Sequence, residues 1–372
     1  MRKEYEDFIS VIRETVFSIG TTDLSATELN NLKSLFLSHK MYTIYMAYIK
    51  KRFAKTSQYG DILAYRHLMQ KNEYKKLCAE LEKKSIRYMP LKGIAISDIY
   101  PEGIIREMTD IDIYADKENF EIIKDIFLKN GYIFEHRGHH DVYVRNDISV
   151  CFEIHETIVD KQRDTKTDEF FKNPCMLAKK SGFCYRLTSE NELIYLIAHY
   201  FGHFHQGGAG VRGVLDIYLY EKCFDIDNKY VDEILERYKL KDFYDNIRQL
   251  GKVWFENKKI DTLSNELGEY IISSGAFGIT ERLNLDLSSC NKSRAENIKL
   301  MLRRKLFLPQ NEIIRRYPWA KTKMLLPIAY AKRVVSVIKN NRNEIADWYT
   351  GFKGANTKRI SEQKKRMKRF GA

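Results

Sequence analysis

The stretch MTDIDIYA sets two carboxylates, Asp110 and Asp112, two residues apart among apolar neighbours. In a strand successive side chains alternate faces, so both acids project to one side about 7 Å apart while Ile111 and Ile113 turn to the other. Two carboxylates on one face repel unless a cation neutralises them. Mg²⁺ takes oxygen ligands and is commonly held by one or two carboxylates together with substrate phosphates, so the pattern points to a metal-nucleotide site. A pair of exposed aspartates on an edge strand is the alternative. Downstream, SVCFEIH places a third acid, Glu153, between Phe152 and Ile154, and His155 shares its strand face.

The segments around these acids fit an anion. Upstream, MPLKGIAISDIY reads as a short strand, a glycine turn at Gly93 and a helix, which aims backbone N–H groups and a positive dipole at a bound phosphate. Lys92 adds charge at the turn, and Arg106, four residues before Asp110, can reach a phosphate as the chain returns. Lys92 could equally snorkel at a strand end. Ser97 lies one helical turn beyond Gly93 and is a further candidate phosphate contact, whereas Tyr100, beside Pro101, packs or caps the turn. Between Asp112 and Glu153 there is room for one helix and a hairpin, which would return the second strand beside the first.

The order LKG, Tyr-Pro, Arg106, DID, a GY after a helix and then EIH resembles the uncharacterised nucleotidyltransferase family within the polymerase-β-like superfamily. The later stretches HYFGHFHQGGAGVRGVLDIYLY and RRYPWAKTKMLLPIAYAKR look like that family's helical half. The resemblance implies a nucleotidyltransferase fold that moves an NMP group from an NTP to an acceptor hydroxyl. It further implies that Asp110, Asp112 and Glu153 hold two Mg²⁺ ions, with Mn²⁺ as a substitute, and that the third acid helps activate the hydroxyl. The sequence departs from the superfamily at the glycine turn. A Gly-Ser or Gly-Gly pair is usual there, but Gly93 is followed by Ile94 and lies 17 residues before Asp110.

Histidines offer other chemistry. His199 and His203 are four apart on a helical pattern and share a face, with His205 nearby. Such a pair can ligate zinc, yet no HExxH glutamate accompanies it, so the better reading places His199 or His203 on the acceptor side of a cleft with His155. His139 and His140 fall in a hairpin loop. In GGAGVRGVLD, Arg212 and Asp216 are four apart and are expected to pair on one helix face toward the same side.

The elements that must position these groups follow from the patterning. Residues 1–86 read as helices, with a capping box at Ser25 and Glu28. Residues 87–160 carry short β-rich runs broken by the helical stretch KENFEIIKDIFLKNG, which Gly131 should end. From Thr188 helices return behind a second capping box at Ser189 and Glu192, so residues 161–350 form a helical, acceptor-side region before a basic tail at 351–372. The fold class is α+β, a small mixed-sheet core flanked by N-terminal and C-terminal helical regions.

Composition sets outer limits. The chain has 372 residues, 44% hydrophobic and 30% charged, which suits a folded protein with a sizeable core. No run of about 18 apolar residues occurs and the N-terminus lacks the apolar stretch of a secretory signal, so neither a membrane span nor export by that route is expected. Six scattered cysteines without CxxC spacing fit reduced thiols in a cytoplasm. Residues 301–372 hold 19 Lys and Arg against 4 Asp and Glu, so the whole excess of the +13 net charge is C-terminal. The expected partners are an NTP and an acceptor that is a small molecule, sugar, protein or RNA, with polyanion contact through the basic end. Two other function classes remain open: a non-catalytic nucleotide- or polyanion-binding module, and an RNA-binding protein acting through that end.

Overall fold

The computed structural model describes residues 1–137, 140–159, 166–205, 207–279, 310–320, 324–340 and 357–372, together with a few single positions between 279 and 324. Four helices open the chain: α1 (Lys3–Phe17), α2 (Ala26–Ser38), α3 (Tyr42–Phe53) and the long α4 (Gln58–Lys83). The Ser25 cap holds as expected, with its side chain accepting from the Glu28 N–H while the Glu28 carboxylate receives the Ser25 N–H.

A sheet follows. Strand β1 (Tyr88–Leu91) leads through a short helix α5 (Lys92–Ile96) and an irregular return to β2 (Ile111–Ala115). Helix α6 (Phe120–Lys129) buries Phe120, Ile123, Ile126 and Phe127 and ends before Gly131, whose positive φ of 79° closes it. The antiparallel run β3 (Ile133–Arg137), β4 (His140–Arg145) and β5 (Val150–His155) returns β5 beside β2, and this pair is parallel. The expected helix-and-hairpin excursion therefore brings Glu153 into register with Asp112.

The sheet runs past residue 160. A hairpin, β6 (Ala178–Ser181) and β7 (Cys184–Leu187), joins the β1 edge, with β7 parallel to β1, and gives the strand order β3-β4-β5-β2-β1-β7-β6. Four-residue strands, one of them AKKS with its lysines in solvent, carry too little apolar alternation to be read from sequence.

Helices then predominate: α7 (Ser189–Phe204), α8 (Val211–Cys223), α9 (Asn228–Arg237), α10 (Lys241–Phe255) and α11 (Thr262–Ile272), with further helices at Gln310–Arg316, Leu326–Asn340 and Thr357–Arg369. The cap of α7 is Thr188, not Ser189: the Thr188 hydroxyl accepts from the Asn191 N–H, and Glu192 is turned inward and buried.

Two cores explain the layering. Ile111, Ile113, Phe152 and Ile154 pack with Leu77 and Leu81 of α4 and Phe127 of α6 on one face of the sheet. The opposite face, through Met89 and Leu91, joins α1–α3 and α7–α11 in a single larger core. Strand alternation thus sends the apolar residues of β2 to one layer and Asp112 to the seam with the helices. No helix among the described residues is long and apolar enough to cross a membrane.

The basic end is not a solvated arm. In Thr357–Arg369 and the residues after it, Ile360, Gln363, Met367 and Phe370 are buried on one stripe, and Phe370 packs against Phe204 and Tyr270. Residues 359, 364–366, 368 and 369 stay in solvent. Seven cations hide a stripe of three apolar residues and Gln363 when only composition is counted, but helical spacing is enough to anchor the helix. Cys78, Cys151, Cys175, Cys184 and Cys223 are free thiols, while Cys290 lies outside the described residues.

Candidate active site

The acids sit where β1, β2 and β5 meet the helical layer. Asp112 is buried, and its Oδ1 lies 2.7 Å from Lys92 Nζ and 2.8 Å from His155 Nε2. Glu153 Oε2 lies 3.3 Å from His140 Nε2 and 3.6 Å from His155 Nε2. Asp110 comes one residue before β2, on the Asp112 side. Burial and the neighbouring Asp112 and Glu153 charges push the Asp110 carboxyl up to about 7. Burial acts the same way on Asp112, but Lys92 and His155 outweigh it and hold that carboxyl far below the usual range. At Glu153 the penalty of burial is overcome chiefly by the His140 hydrogen bond, and its pKa falls. The three carboxylates therefore form a field that calls for more positive charge than the side chains supply.

The glycine turn is built differently from its sequence appearance. Lys92, not Gly93, takes the left-handed backbone, with φ of 49°, a conformation that ordinary L residues rarely adopt and that clusters at functional sites. Gly93 is needed for close approach: a Cβ there would lie 2.7 Å from Arg106 Nη1 and 2.9 Å from Met108. Ser97 is buried, its hydroxyl turned 3.5 Å from the Ile94 carbonyl, and it does not line the cleft.

Arg106 reaches the cleft but is already engaged. Its Nε and Nη2 form a two-pronged ion pair with Asp216 at 2.8 and 2.7 Å, and Tyr100 donates to the same carboxylate at 2.7 Å. The expected Arg212–Asp216 pair is therefore replaced: α8 offers Asp216 to Arg106, while Arg212 Nη1 donates to the Glu107 carbonyl at 2.8 Å. A long-range partner with a planar fork and full burial wins over an i,i+4 neighbour.

The return loop that delivers Asp110 is pinned by side chains from three helices. Thr43 donates to the Ile105 carbonyl, Gln70 to Met108, Arg66 to Thr109 and Arg212 to Glu107, over 2.6, 3.2, 2.7 and 2.8 Å. An irregular loop among helices must satisfy its carbonyls in this way, and here that accounting fixes the first acid.

A cavity of about 420 Å³ joins these groups to α7 and α8. Lys92, Gly93, Arg106, Asp110, Asp112, Glu153 and His155 line its sheet side, and His199, His203, Arg212 and Asp216 its helical side. The His199 and His203 rings meet edge to face, 4.5 Å between centroids. Two residues went unassigned by sequence reasoning. His140 belongs to β4 rather than to a loop and pairs directly with His155. The Tyr195 hydroxyl lines the cavity, fully buried and without a hydrogen-bond partner among the described residues. Such an orphaned donor in a cleft, beside surplus carboxylate charge, fits a polar ligand with bound cations. The hard oxygen donors of Asp110, Asp112 and Glu153 fit Mg²⁺ in particular.

A mixed sheet bearing acids on two adjacent parallel strands, preceded by a strand, turn and helix, is the layout of a nucleotidyltransferase. Residues 32–256, more than half of the chain, match the family described as uncharacterised nucleotidyltransferase, and the protein belongs to that family. No curated protein and no solved structure matches the chain.

Proposed function

We propose that the protein transfers an NMP group from an NTP to an acceptor hydroxyl and releases pyrophosphate. The observation that carries this reading is the register of Asp112 with Glu153 on parallel β2 and β5, with Asp110 on the same side. Asp110, Asp112 and Glu153 would hold Mg²⁺ or Mn²⁺, which when bound neutralises charge on the transferred phosphoryl group and the leaving oxygen. The acceptor oxygen forms a bond to the α-phosphorus as the bond to the β-phosphate's bridging oxygen breaks, and Glu153 takes the hydroxyl proton. Lys92 is placed to leave Asp112 for a phosphate, and Arg212 adds charge on the opposite wall. Arg106 acts by bracing the turn, because its fork is held by Asp216. Tyr195, His199 and His203 face the acceptor. The exposed cations of Thr357–Arg369 would meet an acidic acceptor, RNA included, over a range set by salt.

Pyrophosphate release screened over the four NTPs, with cell extract as acceptor, tests the reading. Release that needs a divalent cation and disappears in Asp112→Asn supports it. Cation-dependent NTP binding without release for any nucleotide would leave a non-catalytic binding module.

A further inference from the structure

The sheet end of the cleft sets two imidazoles beside Glu153, nitrogen donors that a nucleotide-bound Mg²⁺ does not need. One ring nitrogen each of His140 and His155 and one carboxylate oxygen of Glu153 all lie within 4.8 Å of one another. The His140–Glu153 and His155–Glu153 separations are 3.3 and 3.6 Å. Ligand bonds of about 2.0–2.2 Å in a tetrahedral site put donors about 3.4 Å apart, so two of the three edges are already of the right length. The third edge, between the two imidazoles, is at most 4.8 Å. All three residues sit on rigid, paired strands: His140 opposes His155, and Val142 opposes Glu153, so antiparallel pairing turns the two imidazoles and the carboxylate to one face. The His140 and His155 rings are 4.8 Å apart, and both are largely shielded from solvent.

We infer that His140, Glu153 and His155 form a site for a divalent first-row transition ion of the Zn²⁺ or Co²⁺ type, with a fourth position open to the cleft. Imidazole nitrogen suits these ions, whereas Mg²⁺ prefers carboxylate, carbonyl and water oxygen. Two imidazoles and one carboxylate with an open position is a recurring zinc set, and Asp112 Oδ1 lies beside it, 2.8 Å from His155 Nε2. The site shares Glu153 with the proposed transfer reaction, yet it does not depend on that reaction, because occupancy is readable without nucleotide. His199 and His203 offer two imidazoles on α7 that belong to no such three-donor group among the described residues, which makes them the natural control.

The test is a titration of the chelator-stripped full chain with Co²⁺, followed by visible absorption, with calorimetry for Zn²⁺ and Mg²⁺. One equivalent of Co²⁺ should give the intense bands of a four-coordinate site, Zn²⁺ should displace it, and Mg²⁺ should neither bind tightly nor displace it. His140→Ala and His155→Ala should each weaken Co²⁺ binding by more than the roughly 10- to 100-fold that losing an outer partner costs, with melting curves in chelator showing a folded chain. If either alanine variant does not fold, the glutamine variant takes its place. Glu153→Gln should shift the bands. No stoichiometric binding, bands unchanged in both histidine variants, or bands lost only in His199→Ala would overturn the inference. Pyrophosphate release with Mg²⁺, measured on the same samples, keeps the two proposals separable: transfer without Co²⁺ binding sinks only the transition-ion site, and tight Co²⁺ binding without transfer sinks only the reaction.

Discussion

Asp110 and Asp112 look interchangeable in the sequence, but their surroundings give them opposite electrostatics. Asp110 is raised to about 7 by burial and two neighbouring carboxylates, so in the cation-free protein it binds protons more tightly folded than unfolded. Stability then falls as pH rises from about 4, the ordinary carboxylate value, to about 7. Asp110→Asn is expected to remove that slope and to raise the melting temperature in chelator above pH 7, while lowering transfer about 100-fold or more. Asp112→Asn should also abolish transfer but lower the melting temperature, since it leaves Lys92 without its charged partner 2.7 Å away. Equal shifts in the two variants would contradict this division. Much at this scale was legible: the DID spacing, the third acid and the LKG turn all line one cavity. His140 was not, because a histidine at the start of a short strand has no distinguishing neighbours until β4 pairs with β5. Nor was the engagement of Arg106, whose partner is 110 residues away.

At the scale of elements, the site depends on braces between helices. His39, fully buried at the end of α2, accepts from the Val211 N–H at the start of α8 and donates to the Ile272 carbonyl at the end of α11. Burial lowers its pKa to about 4 against an ordinary value near 6.5. The unfolded chain therefore takes up a proton that the folded one refuses, so stability should drop as pH falls from about 6.5 to about 4, by a few kcal/mol in all. His39→Gln should flatten that part of the profile in denaturant titrations at several pH values; an unchanged slope would show that His39 does not carry it. Asp216 is the second such brace. Asp216→Ala leaves the buried Arg106 guanidinium unpaired, and a loss of about 3–5 kcal/mol is expected by chemical denaturation. Element types were readable from capping and periodicity, as Ser25–Glu28 and Gly131 show. The β6–β7 hairpin was not, since it depends on pairing with β1, and the Thr188 cap lies one residue before the Ser189 that the capping-box pattern picks out.

Across the whole molecule, one core joins the N-terminal helices to α7–α11, and the C-terminal helix closes it. Charge alone marks residues 351–372 as a basic tail; the stripe Ile360, Met367, Phe370 makes its helix a structural part with a cationic outer face. Phe370→Ala should cost about 3–5 kcal/mol, the range for emptying a buried aromatic site. Lys365→Glu with Lys368→Glu should leave the melting temperature nearly unchanged and weaken association with an acidic acceptor, most strongly at low salt. A drop in melting temperature as large as that of Phe370→Ala would contradict the assignment of these lysines to a solvent face. Transfer of a nucleoside monophosphate is read out by following label from NTP that carries it at the α- or at the γ-phosphate. The α-label should reach the acceptor, the γ-label should leave as pyrophosphate, and neither should move in Asp110→Asn. Transfer of γ-label to the acceptor, or α-label transfer that persists in Asp110→Asn, would contradict it.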